Sequence, residues 1–190
     1  MIISSIIMDK RSQLLSYISN CTLWNENIAT EEGRCLNNYI NLHEVFSMPS
    51  ALSVCIELLY FKVKEYNPDV ICGLVTGACP LVTGLELYSY NNRLKKIRGV
   101  YIRKEKKGYG VSSELTSLID QSEKVVIVDD VTGMGNAANK CIDILQRNKI
   151  YPKAFISIID REEGAENKIK SNNIDFKSIF KLKDLEKPSI

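Results

Sequence analysis

The chain has 190 residues, 45% of them hydrophobic, which is enough to bury one full core and fits one domain rather than two. Its 25 Lys and Arg stand against 23 Asp and Glu, and a net charge of +2 gives no general attraction for nucleic acid or a membrane surface, so any anion site must be local. Six cysteines without a C-x-x-C pair, and a single histidine, His43, argue against zinc; several cysteines lie in apolar runs, as reduced core residues do, and a reducing, cytoplasmic setting is expected.

Residues 1–8 are apolar but run straight into Asp9, Lys10 and Arg11, with neither the basic start nor the cleavage pattern of a signal peptide. No stretch approaches the roughly 20 apolar residues that span a bilayer. No repeat, linker or low-complexity tract divides the chain, so residues 1–190 read as one domain. Leu52, Cys55, Ile56, Leu59 and Val63 recur at helical spacing, with Pro49 near the first turn and Asn67-Pro68 closing the helix. A strand over 70–75 follows, then a tight loop from Thr76 to Pro80, a short helix over 81–90 and a strand over 99–102. Beyond a charged loop, residues 125–128 are an unbroken β-branched run, the pattern of a central parallel strand covered on both faces. Ala138, Cys141, Ile142 and Leu145 give the next helix an apolar face, 154–159 reads as a buried strand, and 162–172 as a polar surface helix. Alternating strands and helices with right-handed crossovers predict an α/β fold with a mainly parallel, doubly wound sheet. Ligands bind such sheets at the carboxyl ends of the strands, so the loops starting at Val75, Ile102, Val128 and Ile159 should carry the chemistry.

The most informative segment is VVIVDDVTGMGNA, residues 125–137. Asp129 and Asp130 can accept hydrogen bonds from vicinal ribose hydroxyls, while the turn through Gly133, Met134 and Gly135 aims backbone N–H groups and a helix N-terminus at a phosphate. Paired acids alone also suit phosphatases, response regulators, metal sites and solvated turns. The glycine turn and the helix behind it favour a sugar phosphate.

The whole segment resembles the motif with which type I phosphoribosyltransferases bind 5-phosphoribosyl 1-pyrophosphate (PRPP). Residues 101–110, YIRKEKKGYG, resemble the mobile catalytic loop of the orotate branch of that family, with Arg103, Lys104 and Lys107 as its cations and Tyr109 where a histidine is common. Read alone, a cationic run is more often a solvated surface; near a departing pyrophosphate, positioned cations stabilise the developing charge once water is excluded. Residues 158–164, IIDREEG, resemble the family's Asp-Arg-x-x-Gly segment, whose arginine, here Arg161, approaches the base; otherwise these are ordinary helix-start charges. Thr76 and Gly77 occupy the place of the pyrophosphate loop, and residues 32–41, EGRCLNNYIN, resemble a stretch of the hood over the base, with Tyr39 and Ile40 as a stacking pair. Three positions depart from the family pattern. Glu31 and Glu32 fall where a lysine and a serine are usual, and Gly133 lacks the usual hydroxyl, for which Thr132 is the nearest substitute.

The resemblance implies a central parallel sheet flanked by helices, with residues 1–45 contributing the hood. It implies magnesium-dependent transfer of the phosphoribosyl group from PRPP to a nucleobase, with orotate the leading acceptor. Asp129 and Asp130 would orient the ribose, and backbone N–H groups of Val131, Thr132, Gly133, Met134, Gly135, Asn136 and Ala137 would hold the 5′-phosphate. Arg103, Lys104 and Lys107 would balance the leaving group, and magnesium would arrive through PRPP rather than through protein ligands. In the orotate branch the loop enters the neighbouring subunit's site, which implies a homodimer. The alternatives are another acceptor base, or a PRPP- or nucleotide-sensing regulator of the same fold. Three leaving-group cations speak against a sensor, and the first forty residues show no recognition helix for nucleic acid.

Overall fold

Apolar β-branched runs order the molecule, a computed structural model of which describes residues 2–29, 35–105 and 114–187. Five strands, β3 (Val70–Leu74), β4 (Arg98–Ile102), β5 (Val125–Thr132), β6 (Ala154–Asp160) and β7 (Asp175–Lys181), form one sheet in the order β4-β3-β5-β6-β7. Every pairing is parallel. The change of direction in strand order falls at β3 and β5, and their carboxyl ends lie side by side.

Successive strand residues point to opposite faces, and the two faces bury separate cores. Ile71, Val126, Val128, Ala154, Ile156 and Ile158 pack on one side beneath α1 (Ile2–Asn20), α3 (Pro49–Val63) and α4 (Cys79–Asn91). Cys72, Val100, Val125, Ile127 and Phe155 pack on the other beneath α5 (Asn136–Arg147) and α6 (Ala165–Lys170). The chain between residues 21 and 47 adds an antiparallel hairpin, β1 (Thr22–Ala29) with β2 (Cys35–Ile40), and a short helix, α2 (Leu42–Ser47). No helix among the described residues is long and apolar enough to cross a membrane.

Helix α3 forms where the apolar spacing predicts it: Pro49 sits in its first turn, and Ala51, Cys55, Ile56, Leu59 and Val63 face the core. It ends through a 3-10 turn at Lys64–Tyr66, and Asn67 takes the left-handed conformation, with φ 46°, that reverses the chain into β3. Two expected boundaries move. β5 runs to Thr132 rather than ending near Val128, because Val131 and Thr132 remain paired with Ile159 and Asp160; the two acids therefore lie on the strand itself. The polar helix expected over 162–172 contracts to Ala165–Lys170, since Gly164, at φ 100°, sets its start.

The outer edge of β4 is covered by returning chain. Thr116 N–H donates to Tyr101 O (3.0 Å), Arg103 N–H donates to Glu114 O (2.8 Å), and Ile102 bridges Leu115 in antiparallel sense. Glu114 is also paired with Arg147 at the end of α5, at 3.1 Å. The two chain segments that flank residues 106–113 are thus tied together at the carboxyl end of β4.

Candidate active site

Asp129 and Asp130 are neighbours on a strand, so their side chains leave it on opposite faces. Asp129 faces α5: it is only 8% exposed and is paired in register with the fully buried Ser157. Burial raises its carboxyl pKa well above the ordinary value, and the adjacent Asp130 charge adds to the rise. The buried Cys141 thiol on α5 is pushed up in turn, chiefly by desolvation and next by Asp129. Asp130 lies on the more open side, where its Oδ1 accepts from Val131 N–H at 2.8 Å. The alternation of β5 thus presents Asp130 and buries Asp129, two acids that the sequence alone does not distinguish.

The loop after β3 closes against Asp130. Thr76 is exposed, the Val75–Thr76 peptide is cis, and a Cβ on Gly77 would fall 2.6 Å from Asp130 Oδ1. A side chain at 77 would have to push that carboxylate aside. On the other side of Asp130, Val131 and Thr132 finish the strand, Gly133 and Met134 turn, and Gly135, at φ 83°, caps α5. The first turn of α5, with Asn136 and Ala137 exposed, lies directly after Gly135, and a helix N-terminus carries partial positive charge. Thr132 cannot supply the hydroxyl absent at 133. It is 3% exposed, and its Oγ1 is enclosed without a partner among the described residues.

Arg161 begins the loop after β6. Its N–H donates to Thr132 O at 2.8 Å, its Nε to Glu163 Oε1 at 2.9 Å, and its Nη1 to Asn38 O on β2 at 3.0 Å. One side chain therefore joins the hairpin to the end of the sheet, and its charge is already matched by Glu163. Tyr39 is 37% exposed, but Ile40 is 6% exposed within the core, so the expected stacking pair is corrected: neighbours on a strand cannot both face one base. Arg103 and Lys104 stand at the end of β4, one strand beyond β3, with Lys104 exposed. Lys107, Tyr109, Glu31 and Glu32 lie outside the described residues.

The fold thus brings together Thr76, Gly77, Asp130, the turn from Gly133 to Ala137, and Arg161, with Arg103 and Lys104 beside them. Sequence reasoning missed Glu163 and Asn38. Glu163 was legible only as a helix-start acid, and Asn38 contributes a backbone carbonyl that no side-chain pattern reveals. No group of three or more His, Cys, Asp or Glu among the described residues could hold a metal ion.

The family model of the phosphoribosyl transferase domain matches residues 41–185. The orotate phosphoribosyltransferase of Methanosphaera stadtmanae is 33% identical over 156 residues, covering 82% of this chain and 84% of its own. Among solved structures, orotate phosphoribosyltransferase from Aeropyrum pernix superposes with a TM-score of 0.74 at 26% identity, over 90% of this chain and 94% of the other. The Mycobacterium tuberculosis orotate phosphoribosyltransferase in complex with PRPP shares the fold, with a TM-score of 0.74 at 19% identity over 92% and 98% of the two chains. The matched span contains all the strands of the parallel sheet and the loops at their carboxyl ends.

Proposed function

The chain belongs to the phosphoribosyltransferase family, and we propose that it transfers the phosphoribosyl group of PRPP to orotate, releasing pyrophosphate and forming orotidine 5′-phosphate. One observation carries the reading: of the two adjacent acids Asp130 is the accessible one, and it stands between the Thr76–Gly77 loop and the N-terminal turn of α5. A ribose with a phosphate at each end needs that order of groups. Asp130 accepts from the ribose hydroxyls, the N–H groups of the turn from Gly133 to Ala137 hold the 5′-phosphate, since the Val131 N–H already donates to Asp130, and the loop at Thr76 receives the pyrophosphate end.

The transition state is a ribosyl cation with a departing pyrophosphate, and no side chain becomes covalently attached. Arg103 and Lys104 at the end of β4, with Lys107 further along the chain, spread the leaving group's charge, which lowers the barrier most when water is excluded. Magnesium fits the donor set as a companion of the substrate. Asp130 offers hard carboxylate oxygen, and magnesium binds through few carboxylates together with phosphate oxygens and water. When bound, it would supply positive charge toward the leaving group. Arg161, between hairpin and sheet, faces the acceptor, and the enzyme works as a cytoplasmic homodimer whose loop serves the partner's site.

A second reading keeps the reaction and changes the acceptor to an uncharged base. The observation favouring it is the Arg161–Glu163 pair, which leaves less net positive charge for a carboxylate substrate. Pyrophosphate release from PRPP and magnesium with orotate, uracil, hypoxanthine, guanine and adenine separates the two. Orotate-dependent release supports the first, and release only with another base supports the second.

A further inference from the structure

Three segments that are distant in sequence, at Gly133, at Arg161 with Glu163, and at Asn38, form one chain of contacts from the turn before α5 to the hairpin. Glu163 Oε1 accepts from Arg161 Nε at 2.9 Å, and Arg161 Nη1 donates to Asn38 O at 3.0 Å. Glu163 Oε2 lies 2.7 Å from the point a Cβ on Gly133 would occupy, with Arg161 Cδ 3.7 Å from the same point. The arginine side chain is 9% exposed and the glutamate 21%, so both are held by packing as well as by charge. Gly133 is not in the left-handed region, and its backbone would accept an alanine; a side chain there would displace the glutamate carboxylate from its present place.

We infer that Glu163 is a positioning residue of the acceptor site and that the bare backbone at Gly133 is its steric counterpart. This rests on the phosphoribosyl-transfer reading of the site. The carboxylate fixes the guanidinium at Nε while the Asn38 carbonyl fixes it at Nη1, so the plane of Arg161 is set at two of its three nitrogens. An arginine held in this way presents Nη2 to an acceptor in one orientation. Without Glu163 it swings among rotamers and loosens the hairpin strand it tethers. The glycine that departs from the family pattern is thereby accounted for: it makes room for the carboxylate.

Steady-state kinetics with PRPP and orotate test this. Glu163→Ala should raise the KM for orotate about tenfold while moving the KM for PRPP less than about twofold, and Glu163→Gln, which keeps an oxygen for Nε–H, should restore most of the loss. Gly133→Ala should reproduce the Glu163→Ala profile, and the double variant should be no worse than either single one, because both disturb the same contact. Amide exchange at residues 35–40 of the ligand-free protein should quicken in Glu163→Ala and not in Glu163→Gln, a readout that needs no turnover. An unchanged orotate KM with unchanged exchange in Glu163→Ala overturns the inference, as does a Gly133→Ala defect confined to PRPP. If wild-type protein turns over no orotate, the proposed acceptor fails, and the exchange measurement still decides whether Glu163 holds Arg161 to the hairpin.

Discussion

Adjacent acids at the end of a strand look equivalent in a sequence, yet the alternation of β5 gives them different work. Asp130 faces the Thr76–Gly77 loop and Asp129 is enclosed beneath α5. Asp130→Asn should therefore reduce turnover by roughly 100-fold or more, the loss of one or two charge-assisted bonds to ribose, whereas Asp129→Asn should cost much less; pyrophosphate release measures both. Asp129 has its own signature in pH. Its folded pKa is raised from 3.8 by burial, so the folded chain holds a proton that the unfolded chain gives up, and stability falls as pH rises from about 4 through the folded pKa. Asp129→Asn removes that loss. Its melting temperature should exceed that of the wild type at pH 8, and the gap should narrow toward pH 4; a gap independent of pH would contradict the assignment. Gly77→Ala, which drives a methyl against Asp130, should cost activity steeply with little change in the melting temperature. The double acid, the glycines and Arg161 were legible in the sequence. Which acid is accessible, and that Tyr39 and Ile40 cannot stack together, follow from a period of two that the motif resemblance passed over.

The elements that the sequence made plain are those buried on both faces or along a clear helical stripe. Residues 125–128 have no polar interruption, and α3 and α5 repeat their apolar positions every three to four residues. The elements it concealed cover edges or lie outside the sheet. In α1 the fully buried Leu14 and Ile18 lie among charged and polar neighbours, so its stripe is thin. β7 buries Phe176, Ile179 and Phe180 against both cores, which breaks simple alternation. The hairpin has a register shift between Trp24 and Ile28 that blurs its period. At the start of α5, Gly135 stands at φ 83° with Ala165 Cα 3.2 Å from the place of a Cβ. Gly135→Ala should destabilise the fold by about 1–3 kcal/mol in urea unfolding and weaken PRPP binding together with it, because the same turn seats the phosphate. Normal stability with normal PRPP affinity would remove that turn from the site.

Across the whole molecule, the parallel order β4-β3-β5-β6-β7 delivers four loops to one rim, and the family match spans that sheet entirely. The proposed reaction would divide that rim by strand, with leaving-group cations at β4, the pyrophosphate loop at β3, ribose and 5′-phosphate at β5, and the acceptor side at β6. If the loop carrying Lys107 serves the partner's site, mixing inactive Lys107→Ala protein with inactive Asp130→Asn protein should recover activity, since a heterodimer then holds one intact site. No recovery after demonstrated subunit exchange would confine the loop to its own chain. The central claim is phosphoribosyl transfer to orotate, and the most direct measurement follows orotidine 5′-phosphate and pyrophosphate together in a reaction of purified protein with PRPP, magnesium and orotate. The account predicts that both products form in equal amounts, only when all three components are present, and that Asp130→Asn abolishes both. Formation of neither product in wild-type protein that binds PRPP, or of a nucleotide only from another base, would contradict it.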